Sequence, residues 1–232
     1  NRLHCDIVFY PPSPQVLRME WPEFKGIIRH GWEWVPLKKQ FILQRQVREK
    51  NILSRNERKI SLLVSMGGSD PHGLIFIVLG ALEILDLDIE VLILLGPAFT
   101  YRKKFNAYMK KAKKKYRILS NKFEVDDIFS LVDFAIASFG VTAYELTSVG
   151  VPSVYISISE QHNEVAELFH NEKLAVNLGI FNDLTKEKIC KGLCFFAKSK
   201  KNRDLFSKKC LSTLDCYGSQ RIAKEIIELA EC

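Results

Sequence analysis

Two short segments of the sequence combine glycine with small polar residues directly after an apolar run. The first, at 66–70, reads Met-Gly-Gly-Ser-Asp, and the second, at 138–142, reads Ser-Phe-Gly-Val-Thr. A helical pattern follows each segment, and a strand, a glycine turn and a helix together present backbone N–H groups to a phosphate. Two such loops facing one cleft would suit a diphosphate, which points to a nucleotide-sugar ligand.

The small residues of these two glycine loops are therefore the candidate ligands of a diphosphate. Paired glycines at 67 and 68 would let a ligand approach the backbone closely, and Ser69 or Asp70 could cap the next helix. A plain tight turn is the alternative interpretation, and the full G-x-G-x-x-G pattern of a dinucleotide site is absent. The candidate diphosphate-binding residues are Gly67, Gly68, Ser69, Gly140, Val141 and Thr142.

Polar side chains near the same strand ends could bind the rest of such a ligand. Glu145 lies one turn beyond the second loop, where it could accept hydrogen bonds from two ribose hydroxyls or simply balance the helix dipole. Gln161, His162 and Asn163 follow another apolar run and suit the recognition of sugar hydroxyls, or else form an ordinary helix start. No partner stands at a spacing that would make His162 a metal ligand.

The elements that must position these residues alternate between strand and helix from about residue 58. Nearly continuous apolar runs are typical of parallel strands covered on both faces. Strands are predicted at 60–66, 89–95, 117–120, 134–138, 153–157 and 174–178. Helices are predicted at 71–86, 100–115, 125–132, 142–149, 161–170, 185–199, 203–212 and 217–230.

This alternation predicts an α/β fold with a doubly wound, Rossmann-like, six-stranded parallel sheet. In the strand order 3-2-1-4-5-6, strands 1 and 4 are neighbours at the topological switch point, where ligands bind. Both glycine loops follow those two strands, so we expect them to meet. Pro71 suits the first turn of its helix, and Gly150 suits a helix C-cap.

Residues 1–40 have a different character. A strand is predicted near 6–10, and it is followed by a run of prolines and then by all three tryptophans. We expect residues 1–45 to be the tail of an N-terminal domain with its linker, and residues 46–232 to be a ligand-binding domain. Because the chain begins at Asn1 rather than at Met, we expect it to be a fragment.

The composition suits a globular protein of the cytoplasm. With 232 residues, 47% of them hydrophobic, the chain can bury a full core. It contains neither an apolar run of about 18 residues nor a visible signal peptide. Six cysteines without a C-x-x-C pair indicate reduced thiols. A metal site is the alternative, although no histidine or tight knuckle supports one; its ligands would be Cys190, Cys194, Cys210 and Cys216.

The net charge of +7 is concentrated in two basic segments, 102–117 and 198–203. The first is predicted to be an exposed amphipathic helix that turns Phe105, Tyr108, Met109 and Ala112 inward. Its lysines could form a solvated face, contact an anionic membrane surface, or bind nucleic acid. No recognisable nucleic-acid motif accompanies them, so nucleic acid is not an expected partner.

Several of these segments together resemble a known family. Residues 64–71, Val-Ser-Met-Gly-Gly-Ser-Asp-Pro, resemble the start of the C-terminal domain in the UDP-sugar hydrolase of pseudaminic acid biosynthesis. That family is related to the spore-coat polysaccharide protein group and to the peptidoglycan GlcNAc transferase, all within the GT-B clan. Segments 139–146, 150–152 and 161–163 resemble the clan's nucleotide-sugar signature, and residues 6–41 resemble the tail of its N-terminal domain.

The resemblance implies a GT-B C-terminal domain that binds a UDP-sugar without a metal or cofactor. It implies that Glu145 holds the ribose and that the glycine loops hold the diphosphate. The sugar would face Gln161 and Asn163, and the uracil would be bordered by Phe123 and Val125. The clan often has a small residue or glycine where Phe139 stands, so this position departs from the clan's pattern.

For the activity, the resemblance implies a hydrolase of the UDP-diacetamido-trideoxy-sugar type, which serves surface polysaccharide or sialic-acid-like sugar biosynthesis. A GT-B glycosyltransferase and a non-catalytic nucleotide-sugar-binding module are the alternatives. In the hydrolase the catalytic histidine comes from a glycine-rich loop of the N-terminal domain. No residue of this chain matches it, so the catalytic residues are unassigned.

Overall fold

The computed structural model describes residues 4–54, 59–119 and 122–231, with the side chains of 51–54 and 122–126 outside that description. The strands are β1 (Ile7–Tyr10), β2 (Ile27–His30), β3 (Ile60–Ser65), β4 (Ile89–Leu94), β5 (Tyr116–Leu119), β6 (Phe134–Ser138), β7 (Ser153–Ser157) and β8 (Ala175–Ile180). The helices are α1 (Pro14–Leu17), α2 (Gln40–Ser54), α3 (Leu74–Ile84), α4 (Arg102–Met109), α5 (Lys122–Leu131), α6 (Val141–Val149), α7 (Glu160–Asn171), α8 (Lys186–Ala197), α9 (Lys200–Thr213) and α10 (Gly218–Ala230).

Strands β3 to β8 form the predicted six-stranded parallel sheet. Their order is β5-β4-β3-β6-β7-β8, which is the predicted 3-2-1-4-5-6, and every neighbouring pair is parallel. The central strands are buried along almost their whole length, as their unbroken apolar runs predict. The predicted doubly wound α/β fold is therefore confirmed.

Helices cover both faces of this sheet and create two hydrophobic clusters. One cluster combines sheet residues with apolar side chains of α3, α4, α8 and α9. The other combines the opposite sheet face with α2, α5, α6 and α7. Such coverage is what removes both faces of a parallel sheet from water. Within the described ranges, no helix is both long and apolar enough to cross a bilayer.

The N-terminal region contains a second, smaller sheet. β1 and β2 pair in parallel, with the short helix α1 between them, although β2 was not predicted from the sequence. The following segment lies on the main domain, where the Trp32 ring contacts Phe169 with their centroids 4.9 Å apart. Residue 45 falls inside helix α2, and the division of the chain into 1–45 and 46–232 stays a prediction.

Helix α2, also unpredicted, is fastened by a buried arginine. Arg48 is 2% exposed, and its guanidinium donates to the carbonyl oxygens of Gly150, at 2.8 Å, and Val132, at 2.5 Å. Both carbonyls follow the ends of helices, where backbone C=O groups lack intrahelical partners. The guanidinium thereby ties α2 to the ends of α5 and α6.

Four predicted helices have different ends in the structure, and two of them, α5 and α9, simply begin three residues earlier than predicted. The helix after the first glycine loop starts at Leu74 rather than at Pro71, since Asp70 accepts the N–H groups of Leu74 and Ile75. Helix α4 ends at Met109, so the predicted helix over 100–115 is wrong beyond that residue. Its predicted apolar face is kept at Phe105, which is buried, whereas residue 112 lies in the turn that follows.

Replacing the buried arginine tests how the second helix is held. Arg48→Met removes the guanidinium donor from the carbonyl of Val132 and one of two donors from that of Gly150, which Ser207 Oγ also reaches, and we expect a loss of about 3 kcal/mol in the free energy of unfolding. Lys50→Met, on the exposed side of the same helix, is the control and should change it by less than about 0.5 kcal/mol. Urea denaturation measures both values, and equal midpoints for the two variants would contradict the assignment.

Candidate functional site

The two glycine loops lie side by side at the carboxyl edge of the sheet. They follow β3 and β6, which are direct neighbours, with Ser65 opposite Ala137 near their ends. A Cβ atom placed on Gly67 would lie 3.1 Å from Ser138 Oγ, so the loops are almost in contact. The predicted meeting of the loops at the switch point is thus realised in the fold.

Two glycines of these loops face open space, and we call this open space beside the loops the crevice. A Cβ placed on Gly68 or on Gly140 would meet no atom within 4 Å. Gly67 instead has a φ of +76°, a left-handed conformation that a residue with a side chain rarely adopts. One glycine therefore shapes the first loop, and the other two leave backbone open to a ligand.

At the start of α3, the helix terminus is already occupied by a carboxylate. Asp70 is buried, and its two carboxylate oxygens accept the N–H groups of Leu74 at 2.8 Å and Ile75 at 3.0 Å. Burial raises the pKa of Asp70, while these hydrogen bonds oppose the rise. A phosphate at this loop would consequently meet the N–H groups of residues 67–69 rather than the helix end.

The start of α6 is open in a way that the start of α3 is not. Gly140 is its N-cap and, having no side chain, offers no capping oxygen, and Val141 beyond it is 72% exposed. The first N–H groups of a helix have no intrahelical acceptor and carry the positive end of its dipole. Of the two helix termini at the crevice, this one can attract an anion.

The large side chain of Phe139 is compatible with this open loop because it points away from it. Phe139 is buried, and its ring packs edge-on against Tyr155, at 5.4 Å, and Phe169, at 5.2 Å, between centroids. Its N–H donates to the carbonyl of Ile156, which extends the pairing of β6 with β7. The ring fills the core, so the crevice beside Gly140 stays clear.

Glu145 lies on α6, one turn beyond the open terminus, and is half-buried. Burial raises the pKa of its carboxyl, while the charge of Lys38 and a hydrogen bond with Thr142 oppose the rise. Lys38 belongs to the segment that crosses from the small sheet to α2. The carboxylate therefore lies where the N-terminal region passes over the main domain.

Residues 161–163 begin α7, directly after the neighbouring strand β7, but their side chains differ in direction. The ring of His162 lies 6.3 Å from that of Phe139, and the backbone N–H of His162 donates to Ser159 Oγ. Asn163 Oδ1 accepts a hydrogen bond from Asn177 at 2.8 Å. Because the side-chain oxygen of Asn163 is used in this bond, its side-chain NH2 group is the one available to donate to a ligand.

A groove of about 590 Å³ separates α1 from α7. Its lining consists of Gln15, Arg18, Glu160, Gln161, Asn163, Glu164 and Glu167. Two predicted sugar-binding residues line this groove, whereas none of the predicted diphosphate-binding residues does. The structure thus brings the glycine loops together, whereas Gln161 and Asn163 line a separate groove at the start of the helix that follows the next strand, β7.

The remaining predictions concern the uracil and a metal. Phe123 and Val125 lie in α5, but their side chains fall outside the described residues. In the part of the chain that is described, no group of three or more His, Cys, Asp or Glu side chains could hold a metal ion. Two of the cysteines proposed as ligands donate instead to carbonyl oxygens, Cys210 to Leu174 and Cys216 to Ser148.

One supporting residue escaped the sequence analysis. Gly96 follows β4, and a Cβ there would lie 2.2 Å from the carbonyl oxygen of Gly68. The next residue but one, Ala98, donates its N–H to that same oxygen at 3.0 Å. The segment after a third strand, β4, therefore packs against the first glycine loop and donates a hydrogen bond to it. The pattern of an apolar run followed by Gly-Pro was the available signal for it.

Comparisons with known proteins support the fold. No family model matches the chain. The spore coat polysaccharide biosynthesis protein SpsG of Bacillus subtilis is 30% identical over 135 residues, which cover 57% of this chain and 39% of SpsG. The chain thus matches well under half of that relative's length.

Solved structures share the architecture at low sequence identity. MurG of Acinetobacter baumannii superposes with a TM-score of 0.67 at 14% identity, over 96% of this chain and 60% of MurG. The C-terminal domain of the group 1 glycosyl transferase LpcC of Francisella tularensis superposes with a TM-score of 0.50 at 13% identity, over 78% of this chain and 94% of the LpcC domain. HepE of Anabaena, in complex with UDP-glucose, superposes with a TM-score of 0.57 at 11% identity, over 94% of this chain and 63% of HepE. The six-stranded sheet with its helices matches the Rossmann-like C-terminal domain of GT-B proteins.

Two glycine variants test the geometry of the first loop. Gly96→Ala drives a methyl group into the carbonyl of Gly68, and we expect it to destabilise the fold by about 1–3 kcal/mol. Gly68→Ala projects into open space and should cost less than about 0.5 kcal/mol. Thermal or urea unfolding of both variants checks the difference. A destabilisation by Gly68→Ala as large as that by Gly96→Ala would contradict the open crevice.

Proposed function

We propose that this chain binds a UDP-sugar in the crevice between its two glycine loops. The observation that carries the proposal is the juxtaposition of these loops at the ends of β3 and β6, with Gly68 and Gly140 facing open space. Ligands of doubly wound sheets bind at such a switch point. The complex of the structurally similar HepE with UDP-glucose supports this choice of ligand.

The diphosphate would lie between the first loop and the start of α6. Backbone N–H groups of residues 67–69 would hold one side, and those of Val141 and Thr142 would hold the other. Because Asp70 already fills the α3 terminus, the dipole of α6 supplies the main helix contribution to the anion. The ribose hydroxyls would then reach Glu145, one turn along the same helix.

The sugar would extend toward the groove between α1 and α7. Gln161 and Asn163 line that groove, and the amide N–H groups of Asn163 are suited to donate to sugar hydroxyls. Gln15 of α1 donates to the carbonyl of Gln161 at 3.0 Å, so the N-terminal region contributes to the same wall. The uracil is assigned to the region of Phe123 and Val125 on the family resemblance alone.

For the reaction of the whole protein we propose hydrolysis of the UDP-sugar, in polysaccharide or sialic-acid-like sugar biosynthesis. Water would attack the anomeric carbon, the bond from that carbon to the diphosphate oxygen would break, and UDP would leave. The α6 terminus would stabilise the charge that develops on UDP. Similarity to SpsG supports the polysaccharide context, and the hydrolase assignment rests on the sequence resemblance. In a glycosyltransferase, a sugar hydroxyl would replace water at the same site.

Removing the carboxylate of Glu145 tests the ribose assignment. Glu145→Ala should weaken UDP binding by about 1.5–3 kcal/mol, the usual scale for a hydrogen bond to a charged group. Glu172→Ala removes a half-buried glutamate directly after α7 and is the control, which should bind as the unchanged protein does. Isothermal titration calorimetry gives both affinities. An unchanged affinity in a folded Glu145→Ala variant would refute the assignment.

The raised pKa of Glu145 predicts a pH dependence of binding. A protonated carboxyl accepts hydrogen bonds poorly, so the affinity for UDP-N-acetylglucosamine should fall as the pH drops through that pKa. The fall should begin above the range of an ordinary glutamate, about 4.3, because burial favours the neutral form. Protonation of this carboxyl relieves its desolvation and therefore does not itself unfold the protein.

Calorimetry over a pH series measures this effect. UDP-N-acetylglucosamine is chosen since its diphosphate, unlike the terminal phosphate of UDP, does not titrate in this range. The Glu145→Gln variant should bind more weakly and lose the dependence that originates at this residue. An identical pH profile in the variant and the unchanged protein would show that another group is responsible.

A further inference from the structure

An exposed basic turn lies at the edge of the sheet opposite the glycine loops. Helix α4 starts beyond the carboxyl end of β4 and runs back along the sheet to the amino end of the parallel strand β5, which begins at Tyr116. The residues between the end of α4 and the start of β5 therefore lie at the amino edge of the sheet. Residues 102–117 include no Asp or Glu. We call the exposed lysines of this segment the basic turn; they are Lys110, Lys111, Lys113 and Lys115.

The backbone of the basic turn is fixed by one carboxylate. Glu83 at the end of α3 accepts the N–H of Lys113 at 2.9 Å and the hydroxyl of Tyr116 at 2.7 Å. Burial would raise the pKa of Glu83, but these hydrogen bonds outweigh it and leave that pKa below its usual range. Glu83 therefore remains ionised and holds the turn through its backbone, while the lysine side chains extend into solvent.

The charge of the basic turn is not neutralised by its surroundings. Among the residues that the structure describes, no ion pair involves its four lysines. The other carboxylates at this edge are mostly engaged elsewhere, Asp88 with Lys59 and Glu90 with Arg117. Asp86 is exposed nearby and offsets one of the four charges at most. A net positive surface therefore faces outward.

Aliphatic rather than aromatic side chains accompany these lysines. Ile84, which ends α3, is 61% exposed, and Ile118, in the edge strand β5, is 41% exposed. The aromatic rings of the segment are withdrawn: Phe105 is buried, and Tyr108 and Tyr116 are half-buried. Single-stranded nucleic acid needs exposed rings for base stacking. Lysines beside exposed aliphatic side chains instead suit the interface of a lipid bilayer.

We propose that the basic turn binds the surface of an anionic lipid bilayer, with Ile84 and Ile118 contacting the headgroup region. The lysines would supply the attraction to anionic headgroups, and the aliphatic side chains would add apolar contact. Since the glycine loops lie at the opposite edge of the sheet, a bilayer bound here would leave the crevice open to solvent. The surface is separate from the nucleotide-sugar site and does not depend on that assignment.

Vesicle sedimentation tests this proposal with a matched pair of variants. The test variant is Lys110→Gln with Lys111→Gln and Lys115→Gln. The control replaces three exposed lysines of α8 with glutamine and removes the same charge; they are Lys186, Lys188 and Lys191. Vesicles contain phosphatidylcholine alone or with about one-third phosphatidylglycerol. Circular dichroism verifies that both variants are folded.

We expect the unchanged protein and the control to sediment with the anionic vesicles and not with the neutral ones. Each lysine near an anionic surface changes binding about fivefold, so the test variant should partition about 100-fold more weakly. Binding should also weaken with salt. The proposal is overturned if the test variant binds the anionic vesicles as well as the control does, or if the protein does not bind anionic vesicles.

Discussion

The parallel pairing of β3 with β6 is the contact on which the candidate site depends. From β3 the chain continues to β4 on one side of the pair, and from β6 it continues to β7 on the other. The loops that leave these strands therefore diverge and open a crevice between them. Gly67 and Ser138 lie so close that a slip in the strand pairing would destroy the arrangement. Gly96, just after the next strand β4, lets the first loop approach closely, and the N–H of Ala98 holds the carbonyl of Gly68 in this position.

The rest of the molecule secures that pair of strands. Buried apolar side chains cover both faces of the sheet, and α2 adds polar connections through Arg48 to the ends of α5 and α6. Those two helices flank β6 along the chain, so fixing their ends also fixes the strand. The segment with Trp32 and Lys38 then links the small N-terminal sheet to α6 near Glu145. The candidate site residues are thus supported by elements that are distant from them in sequence.

The parallel sheet could be predicted because its central strands are nearly continuous apolar runs that alternate with helices, and the strand order follows from the doubly wound fold. The glycine loops could be predicted too, since their residue types carry the conformational requirement. Helix α2 could not, because its polar sequence acquires a partner only when Arg48 reaches carbonyls about 80 to 100 residues away. Likewise, α4 stops at Met109, and the N–H groups of Lys113 and Lys114 donate to the carboxylate of Glu83, a contact that no local sequence pattern predicts.

The most direct test of the account is a crystal structure of the chain with UDP-N-acetylglucosamine. We expect the diphosphate in that structure to accept hydrogen bonds from the backbone N–H groups of Val141 and Thr142 and from those of residues 67–69. We also expect the ribose hydroxyls to donate hydrogen bonds to Glu145. A diphosphate bound elsewhere, for example against Arg18 in the groove between α1 and α7, with the crevice beside Gly68 and Gly140 empty, would contradict it.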